Sequence, residues 1–152
     1  MRAFAIALLV AGIAITTVIV RPRADEKFEP IQGLNVMDAV ATPAAVGEVS
    51  RLQFRLENFS SGDLTLVGVR SKKAASGAIM VADGNGGSTK ALQLLVKQEE
   101  SLDFETSHIW LVLSDLKQPL LEGGTLPFEL VFRTGTVPGR AHVHAALPTK
   151  PE

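Results

Sequence analysis

The 152-residue chain contains no cysteine. Disulfide frameworks, zinc–thiolate sites and cysteine nucleophiles are therefore excluded, and an oxidising compartment is permitted without being demanded. Charge of one sign is missing too: 15 Lys+Arg against 16 Asp+Glu leave a formal net charge of -1. With no basic run interleaved with aromatics, a polyanion would meet no attractive field, so nucleic acid is not an expected partner. Little 3.6-residue periodicity runs through the body of the chain, which argues against a helical domain. No Gly-x-Ser-x-Gly or comparable arrangement sets a nucleophile beside a base, and catalysis is not indicated. Three methionines, three histidines and one tryptophan are the whole stock of side chains suited to a soft metal ion.

What is present begins with an apolar run, AFAIALLVAGIAITTVIV, between Arg2 and Arg21-Pro22-Arg23. A signal-peptide core spans roughly 7–15 residues and a membrane-crossing helix about 17–25, and this run falls in the second range. Cleavage after Ala14 would place Gly12 at the third position before the cut and leave Ile15–Val20 as an apolar stub. The segment 1–23 is therefore expected to be an uncleaved signal anchor, or failing that a signal peptide. The charged, proline-bearing residues 24–32 suit a short extended tether. Residues 33–147 are long enough for one compact domain and too short for two, with 148–152 as a tail.

Within 33–147 short apolar runs alternate with turn clusters, the mark of an all-β protein. Arg51 to Glu57 alternates cleanly, with Leu52, Phe54 and Leu56 on one face and Arg51, Gln53, Arg55 and Glu57 on the other. Further strands are expected at Leu64–Val69, Ala78–Ala82, Ala91–Lys97, Ser101–Phe104, Ile109–Leu113, Pro127–Arg133 and Arg140–Ala146. The cluster Asp83-Gly84-Asn85-Gly86-Gly87 reads as a hairpin turn, since it lacks the ligands of a calcium or phosphate loop. Ile109–Leu113 is apolar on both faces, as a central strand should be. Asn58-Phe59-Ser60 is a formal glycosylation sequon. The fold class expected is a cupredoxin-like Greek-key β-sandwich preceded by an N-terminal transmembrane or signal segment.

The segment from Ser107 to Phe132 carries a more specific likeness. His108, Leu111, Leu113, Leu116, Pro119, Leu120, Gly123, Pro127, Leu130 and Phe132 take up the order of a motif, His-x-Met-Leu-x-x-Leu-x-x-Pro-Leu-x-x-Gly-x-x-x-Pro-x-x-Leu-x-Phe. In this respect the chain resembles the periplasmic copper chaperones of the PCu(A)C family. Asn35–Val40 is similar to the family's first strand, Leu52–Asn58 to its Leu-x-Asn strand, and Leu66–Val69 to the Leu-x-x-Val that follows. The resemblance implies a Cu(I)-binding protein on the periplasmic side of the bacterial inner membrane, where the apolar run of residues 1–23 would join it to the membrane. It would deliver copper to a copper-accepting membrane protein, such as an oxidase copper centre.

On that resemblance His108 stands for the family's closing histidine and Met80 for its first. Trp110 replaces the last methionine ligand, and no methionine follows in Gly84–Gln98. Met80 and His108 would hold Cu(I), with the Trp110 ring as a shielding contact on a low-coordinate soft ion. The competing reading puts Met80 and Trp110 in the core and leaves His108 as an ordinary residue at a strand start. A second, weaker candidate is His142-Val143-His144, whose imidazoles would share one strand face and suit Cu(II), Zn(II) or Ni(II), or simply a solvated surface. The alternative for the whole chain is a degenerate, metal-free β-sandwich that serves as a protein-interaction module at the membrane.

Overall fold

A computed structural model describes residues 31–145 of the chain. The expected anchor at 1–23, most of the tether and the tail lie outside the described residues. Among those described, no helix is long and apolar enough to cross a membrane, and every regular element is a strand: β1 Leu34–Ala41, β2 Ser50–Asn58, β3 Leu64–Arg70, β4 Ala74–Ala82, β5 Ser88–Ala91, β6 Leu94–Val96, β7 Ser101–Asp103, β8 Ile109–Leu116, β9 Thr125–Phe132 and β10 Gly135–Val143.

The strands follow the hydrogen-bonded order β5-β4-β8-β2-β1-β10-β9-β3-β6, with β7 on β2. Only β1 with β10 is parallel; the other pairs are antiparallel. Neighbours distant in sequence, such as β8 between β4 and β2, give the crossed connections of a barrel- or sandwich-like fold. The two ends of the path, β5 and β6, are consecutive in the chain. The expected single strand Ala91–Lys97 is thus two, broken where the chain leaves β4 and joins β3, with Leu92 84% exposed at the corner.

Period-two alternation builds the interior. Leu52, Phe54 and Leu56 of β2, Leu111 and Leu113 of the neighbouring β8, and Leu126, Phe128, Leu130 and Phe132 of β9 belong to one buried cluster. Phe54 stacks at 4.3 Å on Phe104 and 6.0 Å on Phe128, centroid to centroid. In β1 the alternation changes phase: Leu34 is buried before, and Ala39 and Ala41 after, a register shift between Met37 and Val40. Asp38, between them, has a left-handed backbone, φ 53°, where the extra residue is inserted. Asp83 closes the β4–β5 hairpin by accepting the amides of Asn85 and Gly87 on its carboxylate, so this turn is held by its own side chain.

Candidate metal centre

Antiparallel pairing of β4 with β8 puts Met80 directly opposite Trp110, as it puts Ile79 opposite Leu111. Ile79 and Leu111 are buried, so alternation turns Met80 and Trp110 to the outer face, where both are half-buried. Neither belongs to the hydrophobic core, which removes the reading of these two as core filling. β8 is an interior strand of the sheet, and its outer face is half-covered, as its unbroken apolar sequence suggested.

His108 stands at the mouth of β8, exposed, and its carbonyl accepts the Ala82 amide at 3.0 Å. Its backbone is left-handed, φ 58°, a conformation that it shares with Asp38, Glu99 and Asp115 and that histidine enters more readily than most residues. Register thus brings Met80, Trp110 and His108 to one end of one strand pair.

A residue that the sequence did not single out shares this place. The Arg51 guanidinium lies over the Trp110 ring, 4.3 Å from its centroid. Arg51 reaches it from the other flank, since β2 pairs with β8 through Arg51 opposite Val112, one outward step from Trp110. Its backbone amide donates to Thr42 Oγ1 at 2.9 Å, but its Nε is buried with no hydrogen-bond partner. Among the described residues no carboxylate lies within ion-pair distance of Arg51. Burial lowers the Arg51 pKa from the usual guanidinium value. Arg51 is legible in the sequence as an outward residue of β2; that β8 lies next to β2 is not, because strand pairing across more than fifty residues leaves no local signal.

His142 and His144 behave as their spacing predicts. Ala141 and Val143 are fully buried and both histidines are exposed on the other face, ring centroids 6.4 Å apart. His144 Nδ1 lies 3.3 Å from Glu122 Oε1. Among the described residues, however, no three of His, Cys, Asp and Glu converge as a metal-holding group. Three strand steps separate β8 from β10 on the path through β2 and β1, roughly 14 Å at the usual spacing. The two candidates are therefore separate places. A cleft of about 240 Å³, lined by Asp38, Val40, Gln53, Phe54, Arg55, Asp103 and Glu105, includes none of them.

With this geometry in hand, comparison decides the family: residues 34–143 match the family described as putative lipoprotein LpqE-like. The chain belongs to the LpqE-like family. Its fold is that of PCuAC domains. The apo PCuAC domain from PmoF1 superposes with a TM-score of 0.64 at 23% identity, over 76% of this chain and 97% of that one. The copper-bound PCuAC domain from PmoF2 gives 0.64 at 18%, over 76% and 96%. The solution structure of Cu(I)-DR1885 from Deinococcus radiodurans gives 0.58 at 27%, over 76% and 83%. No curated protein matches the LpqE-like chain by sequence.

The resemblance first drawn from Ser107–Phe132 stands at the level of the family, with one correction of spacing. The motif places its histidine nine residues before the proline, whereas His108 precedes Pro119 by eleven (119 − 108). The residue at the motif's distance is Trp110. In this LpqE-like chain the tryptophan therefore occupies the histidine's spacing, and His108 lies one outward step further towards the strand's mouth.

Proposed function

We propose that this LpqE-like domain binds copper as cargo outside the cytoplasmic membrane and passes it to a copper-accepting membrane protein. The observation that carries the reading is the juxtaposition of Met80, Trp110 and His108 at one end of the β4–β8 pair, in a fold shared with a Cu(I)-containing structure. A thioether, an imidazole and an aromatic face form a soft donor set suited to Cu(I), and so few ligands would leave the ion open to exchange with a partner. Export agrees with the family's description as a lipoprotein. The chain has no cysteine for a lipid to be attached to, so the membrane link falls to the apolar segment of residues 1–23.

Cu(I) competition against a chromophoric chelator, with the bound metal counted by mass spectrometry, tests this. His108→Gly is the informative variant, because glycine accepts the left-handed backbone without strain while removing the imidazole. It should weaken Cu(I) binding by about tenfold or more, with His142→Ala nearly silent. Equal losses, or a larger one for His142→Ala, would move the site to β10.

A second reading, the metal-free interaction module, is favoured by one observation: a guanidinium already covers the ring proposed to shield copper. Native protein that takes up no Cu(I) at all would establish it.

A further inference from the structure

Arg51 is held in an unusual way for a cation. Its Nε is buried and unpartnered, no carboxylate among the described residues neutralises it, and burial disfavours its charge. Its visible compensation is the Trp110 ring at 4.3 Å. Desolvating a charge costs free energy unless it is paired and hydrogen-bonded, and a cation–π contact repays only part of that. A half-exposed guanidinium that rests on a ring and, among the described residues, has no ion pair to break is free to swing out to water when something else takes the ring.

Met80 stands directly opposite Trp110 in the register of β4 with β8, on the same outer face. A monovalent metal ion brought to Met80 and the Trp110 ring would meet Arg51 as a like charge a few ångströms away, a distance at which repulsion in a partly desolvated setting is strong.

We infer that Arg51 is an affinity-setting residue of the Met80–Trp110 place: a resident cation that occupies the Trp110 face in the metal-free protein, competes with the incoming metal ion, and leaves the ring when the ion binds. This deepens the copper reading and rests on it for the identity of the ion. It gives the site a built-in means of holding copper weakly, because the departing guanidinium returns to the ring as soon as a partner withdraws the ion.

The test uses the full-length chain and its only tryptophan as reporter. Arg51→Gln removes the charge, Arg51→Met removes it while keeping aliphatic packing should the glutamine variant fold poorly, and Arg51→Lys keeps it. Trp110 emission of the metal-free protein should change in the uncharged variants, and Cu(I) affinity should rise about tenfold in them, with Arg51→Lys close to the native protein. Unchanged or weaker Cu(I) binding in Arg51→Gln and Arg51→Met, while the native protein binds through His108, would overturn the inference and leave the copper reading intact. Binding by the uncharged variants alone would uphold Arg51 as the competitor and retire the native protein as a copper carrier. Failure of all forms to bind Cu(I) would overturn both.

Discussion

Asn58 is completely buried, and its side chain ties three segments together. Its Nδ2 donates to the carbonyls of Gly62, Val96 and Lys97, at 3.0, 3.1 and 3.1 Å, and its Oδ1 accepts the Ser60 amide at 3.0 Å. The turn after β2 is thereby fastened to the end of β6, and backbone groups that a closed loop would otherwise strand are satisfied. Asn58→Ala would leave several of them without partners in a buried setting, so it should lower unfolding free energy by on the order of 3 kcal/mol. A denaturant titration that moved by less than a third of that would mean the loop simply opens to water. The same geometry disposes of the sequon: the amide of Asn58 is engaged inside the fold and cannot carry a glycan in the folded state. Of the candidate site, the sequence disclosed the soft residues Met80, Trp110 and His108, since residue chemistry is local. It did not disclose the left-handed backbone at His108 or the guanidinium on Trp110, which arise from how the strands meet.

At the scale of elements, strands were legible wherever one face is buried and the other wet. β2 and β9 announce themselves by alternation, and both are found almost where the pattern puts them. Errors fall where that contrast fails. β4 begins at Ala74 rather than Ala78 and β10 at Gly135 rather than Arg140, because Ala74–Gly77 and Gly135–Gly139 are mostly small, polar or proline-bearing, with Val137 the one large apolar side chain and no alternation to read. In β4 the smallness has a reason: a β-carbon on Gly77 would collide with the Val69 carbonyl and side chain, where β3 crosses closely over β4 without pairing to it. Gly77→Ala must push two backbones apart, and a carbonyl cannot rotate away as a side chain tip can. A destabilisation of about 2 kcal/mol is expected, read as a lower denaturation midpoint at unchanged slope. Gly62→Ala, with open space around its β-carbon, should be neutral or slightly stabilising, because alanine lowers the entropy of the unfolded chain; a Gly77→Ala variant that behaved the same way would show that the crossing of β3 over β4 yields without cost.

The molecule as a whole has one interior for its described residues, a formal net charge of -1, and an N-terminal segment whose composition differs from everything after it. A net charge of -1 gives no molecule-wide attraction to an anionic lipid surface, and the short basic cluster Arg70-Ser71-Lys72-Lys73 would contribute only a local, salt-sensitive one. With no cysteine in the sequence, a lipid linked through sulfur has no attachment point either. Membrane association of the proposed kind rests on burying the apolar residues between Arg2 and Arg21. Hydrophobic insertion and surface attraction respond differently to solvent: high salt screens charge within a few ångströms but leaves the cost of exposing an apolar run unchanged or larger. The native chain should accordingly remain with membranes through molar salt and through alkaline washing, and should incorporate no radiolabelled fatty acid. Replacing two central residues of the run, Leu9→Arg and Ile13→Arg, should release it, because charged residues at the centre of a crossing segment cost about 3 kcal/mol each. A soluble native product starting near Ile15 or Ala24 would show that the segment is removed, and the delivery step would then have to take place in free solution.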